Sequence, residues 1–158
     1  FPLIKDLDGV TLERMSPEVR GTDRSNWHSA SADENYATPG YLNSQFYPES
    51  MTGTGWSLSD EYISPDNDGY QDVVRIEYLL SVAGSSATIR VYNDKGVLIK
   101  SLVSNALLGS SGSFVWDGTS DSGEKARTGI HVIMVEAFDL AGSLSRKRLP
   151  VIVATRLR

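Results

Sequence analysis

The sequence predicts an all-β fold, an antiparallel β-sandwich preceded by an extended and partly irregular β segment. From Ser86 onward, apolar and polar residues alternate in short runs, which is typical of strands with one buried face. Turn-forming residues separate these runs, and no long window keeps its apolar positions at helical spacing. We therefore expect almost no helix, with a single turn at residues 106–108 as the best candidate.

The predicted strands of the sandwich follow one another along the second part of the chain. The strand of residues 87–92 ends at the turn of residues 93–96, where Gly96 supplies the positive φ of a hairpin. The last two strands pair across the turn of residues 139–142. In chain order, the predicted strands span residues 73–80, 87–92, 97–102, 113–116, 130–138 and 144–154. The predicted inward-facing residues are Ile76, Tyr78, Leu80, Ala87, Ile89, Val91, Leu102, Phe114, Trp116, Val132, Met134, Val151 and Val153.

Residues 1–50 behave differently, because their only clear strand spans residues 10–15 and a long polar run follows it. So few apolar strands cannot offset the entropy lost on ordering the segment. We expect it to pack on the sandwich, on another chain or on a missing piece of the same polypeptide. The glycine-rich residues 53–55 predict a linker, with a domain boundary between residues 46 and 58 and a sandwich domain over residues 57–156.

Composition excludes several classes of function. The chain has 158 residues, a net charge of -5 and a pI near 5.0, which argues against nonspecific binding to nucleic acid or to anionic membranes. Cysteine is absent, so disulfides and thiolate metal sites are excluded. No apolar stretch approaches the roughly 20 residues of a membrane span. The basic residues 146–148 are predicted to be a solvated strand edge.

The first residue, Phe1, is not methionine, which predicts that the sequence is a fragment or a processed piece of a longer protein.

An acidic loop precedes the strand of residues 73–80. Oxygen ligands from Asp66, Asp68, the Tyr70 carbonyl and Asp72 could hold a hard cation such as Ca²⁺, with Gly69 allowing the sharp turn. The other interpretation is that these aspartates accept backbone N–H bonds and cap the turn. The sequence leaves both alternatives open, and calcium is the only cofactor that it suggests.

The residues that commonly carry catalysis do not form a recognisable constellation. His28 and His131 lie in different regions, and no Gly-x-Ser-x-Gly frame surrounds a serine. His131 is predicted to be half-buried on a central strand. At the turn after residue 116, Asp117 is predicted to accept N–H bonds from its own loop while Trp116 fills the core. We therefore expect that the protein is not an enzyme.

Three aromatic residues in the irregular segment form a candidate binding surface. Trp27, Tyr36 and Tyr41 could recognise a glycan or a peptide, because loops on a rigid scaffold often carry binding residues. They could equally plug the end of a sandwich. Exposure of their rings along a groove would favour binding, and burial would favour the plug.

Three stretches of the first part resemble a known family. They are residues 9–14 (Gly-Val-Thr-Leu-Glu-Arg), residues 26–30 (Asn-Trp-His-Ser-Ala) and residues 37–45 (Ala-Thr-Pro-Gly-Tyr-Leu-Asn-Ser-Gln). Together they resemble the C-terminal half of bacterial lamin-tail domains, which are immunoglobulin-like sandwiches of secreted and surface proteins. The resemblance covers residues 1–45 and implies that the front strands of such a domain lie outside this sequence.

The second part resembles another family through residues 64–69, 114–118 and 129–132. These stretches are similar to the Ig-like domain of flagellar hook-capping proteins and to C-terminal domains of exported Bacteroidota proteins, including type IX secretion and gliding-associated signals. His131 departs from the tyrosine that is usual there. The resemblance covers residues 60–154 and implies a seven-strand-type Ig-like sandwich.

Together the two resemblances imply a non-catalytic module for structure, attachment or export, at the C-terminus of a secreted or cell-surface protein. Its expected partners are other domains of the same polypeptide, a missing N-terminal segment or a cell-envelope component. The rival interpretation is an accessory domain that binds a glycan or a peptide.

Overall fold

The structure is a computed structural model that describes residues 8–46, 55–81 and 84–154. Its regular elements are ten β-strands and one turn of 3₁₀ helix at Arg24–Asn26, so the all-β prediction is confirmed. The strands are β1 (Leu12–Arg14), β2 (Trp27–Ser29), β3 (Gly55–Leu58), β4 (Tyr62–Ile63), β5 (Val74–Leu79), β6 (Ser86–Asn93), β7 (Leu98–Leu107), β8 (Ser111–Trp116), β9 (Gly129–Phe138) and β10 (Leu144–Val153).

Two sheets form an Ig-like sandwich. One has the strand order β4-β10-β9-β6-β7, and the other has the order β3-β5-β8. All of the pairs are antiparallel except β4 with β10, which is parallel. The described residues therefore supply eight strands to the sandwich, where the resemblance implied a seven-strand type. The six strands predicted from the residues are all present, and the two additional strands, β3 and β4, are short and lie before β5. β3 pairs with β5 in one sheet, and β4 pairs with β10 in the other.

The core lies between the two sheets. Trp116 is completely buried at its centre, with its indole N–H donating to the Thr119 carbonyl at 2.9 Å. The main cluster consists of Ile63, Val74, Ile76, Ile89, Val91, Trp116, Ile133, Val135, Leu149, Val151 and Val153. A second cluster holds Tyr78, Ala87, Leu108 and Ala137. Burial of each large aliphatic side chain contributes about 1.5–3 kcal/mol to the free energy of unfolding.

The turn after Trp116 forms as the sequence predicted. Asp117 accepts hydrogen bonds from the N–H and the hydroxyl of Thr119, at 3.0 and 2.6 Å. Partial burial acts to raise the pKa of Asp117, but the bonds from Thr119 together with the nearby charge of Lys100 outweigh it and hold the pKa below its usual value. Gly118 adopts a φ of +70°, and a Cβ there would lie 2.8 Å from Pro65. The turn therefore requires both the carboxylate and the glycine.

The predicted phase of β9 was wrong. Val132 and Met134 are only partly buried, whereas Ile133 and Val135 are 0% and 1% exposed. Both faces of this strand are apolar, so alternation of polarity does not distinguish them. The register decides instead, since β9 and β10 must direct paired residues to the same side of the sheet, and Val151 is paired with His131. Three other predicted core residues, Leu80, Leu102 and Phe114, pack against the clusters but are only partly buried.

The helical turn predicted at residues 106–108 was also wrong. Ala106 and Leu107 continue β7, where they pair with Ala87 and Ser86 of β6. A short apolar run is compatible with a helical turn or with a buried strand end, and only the neighbouring strand decides between them. Strand β7 therefore runs five residues beyond its predicted end at Leu102, with irregularities in its register with β6.

The segment of residues 8–46 lies against the sandwich. Its strands β1 and β2 form a two-stranded antiparallel sheet, with Glu13 opposite His28. The Ala32 N–H then donates to the Leu107 carbonyl at 2.8 Å, and the Ser110 N–H donates to the Ser44 carbonyl at 2.9 Å. Most of the predicted linker lies outside the described residues, and Gly55 belongs to β3.

Replacing Trp116 with alanine is expected to lower the free energy of unfolding by about 3–5 kcal/mol, because a large buried ring is removed from the centre of the core. Urea denaturation followed by tryptophan fluorescence or circular dichroism measures this change. The matched control is Val115→Ala on the same strand, where the side chain is 42% exposed. Equal stability of the two variants would contradict the assignment of Trp116 to the core.

Candidate functional site

The structure brings the three predicted acidic ligands together in the loop between β4 and β5. One carboxylate oxygen from each of Asp66, Asp68 and Asp72 lies within 4.8 Å of the others. Asp66 and Asp68 are exposed, and Asp72 is half-buried at the entry to β5. The Tyr70 side chain lies in the same loop and is 63% exposed. The donor set matches the oxygen preference of a hard cation.

The same carboxylates also close the loop through hydrogen bonds. Asp72 accepts from the Asn67 N–H at 2.6 Å with one oxygen and from the Gly69 N–H at 2.8 Å with the other. Asp68 accepts from the Tyr70 N–H at 2.8 Å, and Asp66 accepts from the Asp68 N–H at 3.2 Å. This is the geometry of turn capping. Calcium binding at Asp66, Asp68, Tyr70 and Asp72 stays a prediction, and a cation there would share oxygens with these N–H groups.

The three candidate aromatic residues have different environments. Trp27 is 39% exposed and donates its indole N–H to the Gly21 carbonyl at 2.8 Å. Tyr36 is half-buried, with a φ of +61°. Tyr41 is 73% exposed and lines a shallow hollow with Leu42, a hollow that Trp27 and Tyr36 do not line. The prediction of a shared binding surface stays a prediction, with Tyr41 as its most exposed member.

Both histidines take part in packing. His131 is only 3% exposed, so the prediction of half-burial was wrong, and its ring lies 5.6 Å from that of Trp116. His28 of β2 packs against Gly84, where a Cβ would lie 2.4 Å from the His28 Nε2 atom. Gly84 also has a φ of +78°. The close approach of His28 to the loop before β6 therefore depends on glycine at this position.

A buried polar cluster, which the sequence analysis did not identify, centres on Glu13. We call it the Glu13–Gln45 cluster, and its members are Glu13, Thr38, Ser44 and Gln45. Glu13 is 4% exposed, and Thr38 donates its hydroxyl to one carboxylate oxygen. The other oxygen accepts from the Ser44 hydroxyl at 2.6 Å and from the Gln45 N–H at 3.2 Å. Such a fully hydrogen-bonded buried group fixes one arrangement of the chain around it.

Gln45 extends this cluster to the sandwich. Its side chain is completely buried, and its amide nitrogen donates to the Ser29 carbonyl at 2.9 Å and to the Leu108 carbonyl at 3.1 Å. Its amide oxygen accepts from the Gly84 N–H at 3.3 Å. One side chain therefore joins β2, the residue after β7 and the loop before β6.

A further polar contact joins the segment of residues 8–46 to the sandwich. The Tyr78 hydroxyl on β5 donates to the Asp33 carboxylate at 2.7 Å and accepts from the Gly109 N–H at 3.3 Å. Burial raises the pKa of Tyr78 far above its usual value, and the nearby Asp33 carboxylate raises it further. The hydroxyl therefore stays protonated and donates at neutral pH. A Cβ at Gly112 would lie 1.9 Å from this carboxylate, so the contact also requires glycine there.

The sequence contained only a weak signal for these contacts. Glu13, Thr38, Ser44 and Gln45 all lie in the stretches that resemble lamin-tail domains, and all can form hydrogen bonds. Which of them meet depends on the path of the chain, because Gln45 contacts Leu108 across 63 positions. Chemically, the cluster can hold two parts of the chain together.

Comparison with protein families identifies one match. A family model described as the FlgD Ig-like domain matches residues 64–140, just under half of the chain. A search of curated proteins finds no match. The family match confirms the Ig-like sandwich and the predicted resemblance of the second part to the Ig-like domain of FlgD. The lamin-tail resemblance, the Bacteroidota origin and the connection with type IX secretion stay predictions.

Several solved structures are similar to this chain. FlgD from P. aeruginosa is 26% identical, with a TM-score of 0.41 over 50% of this chain and 62% of that chain. Dimeric latent PorU from Porphyromonas gingivalis is 14% identical, with a TM-score of 0.46 over 69% of this chain and 10% of PorU. PorZ, an essential bacterial surface component of the type IX secretion system of P. gingivalis, is 20% identical, with a TM-score of 0.38 over 62% of this chain and 11% of PorZ. This chain therefore spans less than two thirds of the P. aeruginosa protein.

Within the ranges that the structure describes, no helix is long and apolar enough to cross a membrane.

Changing Glu13 to glutamine is expected to lower the free energy of unfolding by about 1–3 kcal/mol, because the new amide nitrogen cannot accept the bonds that one carboxylate oxygen accepts. Urea denaturation measures the loss, and limited proteolysis shows whether residues 8–46 are cleaved faster. Glu18→Gln is the matched control, since Glu18 is exposed. Equal behaviour of the two variants would show that the Glu13–Gln45 cluster does not stabilise the fold.

The calcium prediction is tested by chelation. A cation bound only by the folded protein raises the melting temperature, so EDTA is expected to lower it by a few degrees, and Asp68→Ala is expected to abolish the response. Differential scanning calorimetry measures both, with Asp94→Ala in another exposed turn as the control. A melting temperature that EDTA leaves unchanged would show that the acidic loop is a capped turn only.

Proposed function

We propose that this chain is a non-catalytic module that serves structure, attachment or export in a secreted or cell-surface protein. The observation that carries this proposal is the buried Glu13–Gln45 cluster. It uses the polar residues of the first part to hold residues 8–46 on the sandwich. In a module built in this way, residues 8–46 and the sandwich act as one folded unit toward the rest of the polypeptide.

The family match supports the proposal. Residues 64–140 match the Ig-like domain of FlgD, and the motifs of residues 64–69 and 114–118 serve turns and core in this structure. Trp116 fills the core and Asp117 closes a turn, so these motifs specify the fold. The resemblances to exported and surface proteins support a location outside the cytoplasm.

The side chains with catalytic potential have structural roles that support the same proposal. His131 lies in the core against Trp116, and His28 packs against Gly84. The carboxylates of Asp72 and Glu13 accept hydrogen bonds that order their own surroundings. A general base needs a reacting proton within hydrogen-bond reach, and these groups are directed to the protein itself.

A second candidate function is recognition of a glycan or a peptide, as an accessory domain. One observation favours it, because the adjacent side chains of Tyr41 and Leu42 are 73% and 71% exposed beside a shallow hollow. Exposed aromatic residues next to a concavity are typical of such surfaces. Tyr41→Ala separates the two functions, because it removes binding without affecting the core.

The proposed function is tested in the source organism with the full-length protein that contains this chain. Trp116→Ala, which removes the centre of the core, is expected to abolish surface display, whereas Val115→Ala and Tyr41→Ala are expected to preserve it. Cell fractionation and surface labelling measure the location. If the Trp116→Ala protein stays inside the cell, the module serves export. If it is released into the medium, the module serves attachment to the surface. The proposal would be overturned if the protein were displayed normally both with Trp116→Ala and with residues 55–154 deleted.

A further inference from the structure

Strand β10 is paired along only part of one edge. On one side it pairs with β9 over its whole length, from Leu144 to Val153. On the other side, β4 pairs with it only at Ile152 and Val153. Among the described residues, the first half of β10 thus has a neighbouring strand on one side only.

The hydrogen-bond register identifies which backbone groups face this open edge. At the turn between β9 and β10, the Asp139 N–H donates to the Ser143 carbonyl at 3.1 Å, so this pair is a hydrogen-bonded pair. Hydrogen-bonded and non-hydrogen-bonded pairs alternate along an antiparallel ladder. Residues 145, 147 and 149 therefore bond to β9, and residues 144, 146 and 148 direct their N–H and carbonyl groups outward.

Two further observations agree with this assignment. Ile152 is at an outward-facing position, and its N–H donates to the Glu61 carbonyl before β4 at 2.8 Å. Pro150 is also at an outward-facing position, where the missing N–H costs β10 none of its bonds with β9. A strand that joined the edge would therefore meet the N–H and carbonyl groups of Arg146 and Arg148, and would end at Pro150.

The open edge is basic, although the chain as a whole has a net charge of -5. Arg146, Lys147 and Arg148 are all exposed. Arg146 donates to Glu136 at 2.8 Å, yet its side chain remains 63% exposed. Lys147 is paired with the buried Val135, so it projects to the inner side of the sheet.

A groove of about 480 Å³ lies beside this edge, between the start of β3 and the hairpin of β9 and β10. Its apolar lining includes Trp56, Leu80 and Ala137, and its rim includes Phe138 and Leu144, which are 43% and 41% exposed. Among the residues that the structure describes, the two sheets are therefore not closed over each other here. A side chain that projects inward from an added strand would cover this apolar surface.

We propose that the open edge of β10 binds an extended acidic peptide, which joins the sheet as a further strand. Alternate side chains of a strand lie on opposite faces. The carboxylates of the peptide lie beside Arg146 and Arg148 on the outer face, and the residues between them are apolar and lie in the groove. A second copy of this chain fits poorly, because pairing of two such edges would bring their arginine side chains together.

Two peptide probes test the proposal, one of alternating Glu and Val over eight residues and one of alternating Lys and Val. The acidic peptide is expected to bind the chain, to slow amide hydrogen exchange at Arg146 and Arg148, and to change the fluorescence of Trp56. The basic peptide is expected to bind at least tenfold more weakly. Isothermal titration calorimetry and NMR measure these effects.

Two variants separate the backbone contribution from the charge. Arg148→Ala removes the charge and keeps the outward N–H, whereas Arg148→Pro removes both. We expect Arg148→Pro to bind the acidic peptide roughly fivefold more weakly than Arg148→Ala, which is the range for one lost hydrogen bond. The double variant Arg146→Glu, Arg148→Glu is expected to prefer the basic peptide, and it keeps the test valid if the proline variant does not fold.

Five outcomes would overturn the proposal. The first is equal binding of both peptides, and the second is binding without protection of Arg146 and Arg148. The third is slow exchange of these two amides in the free chain, which would show that the chain covers its own edge. The fourth is self-association through this edge in sedimentation experiments, which would make a second copy the occupant. No binding at millimolar peptide would show that the basic residues only protect the edge from pairing.

Discussion

The position of residues 8–46 on the sandwich depends on the side chain of Gln45. This amide is completely buried and bonds to backbone groups of three separate segments, at Ser29, Gly84 and Leu108. A buried amide that lacks its partners is costly, so the free energy of the folded state is sensitive to the relative placement of all three. Glu13 holds the backbone of Gln45 in place and thereby extends the same constraint to β1. Apolar packing between the sheets stabilises the sandwich, whereas these directional bonds determine where the first part of the chain lies.

The sequence predicted the fold best where burial affects only one face of a strand. β5 alternates strictly between buried and exposed residues from Val74 to Tyr78, and its predicted inward residues Ile76 and Tyr78 are buried. β9 could not be predicted in the same way, because its two faces are both apolar and the pairing with β10 chooses between them. Strand pairing also decided the end of β7, through β6, and the division between β3 and β4, through β5 and β10. In each case a second strand made the choice, and only for β4 is that strand remote in the sequence.

In the candidate site, too, contacts between residues close in sequence could be predicted, whereas contacts between distant residues could not. Asp66, Asp68 and Asp72 lie within seven residues, so local spacing alone placed their carboxylates together, and the structure shows them within 4.8 Å. The turn at Asp117 is equally local. Glu13 and Gln45 are separated by 32 positions and meet only because the chain after Thr38 returns to β1, where Asn43 donates its side-chain amide to the Arg14 carbonyl. Their residue types indicated hydrogen bonding, but no pattern in the sequence specified the partners.

The change of sheet between β3 and β4 affects more than the number of strands. The chain leaves one sheet after Leu58 and enters the other at Tyr62, and this crossover closes only the last two residues of the rim formed by β10. The site of the crossover thus sets how much of that rim stays accessible. An insertion or deletion within residues 59–61 could lengthen or shorten the accessible stretch with no change to β10 itself. Control over this surface is therefore encoded more than eighty positions upstream of the strand that bears it.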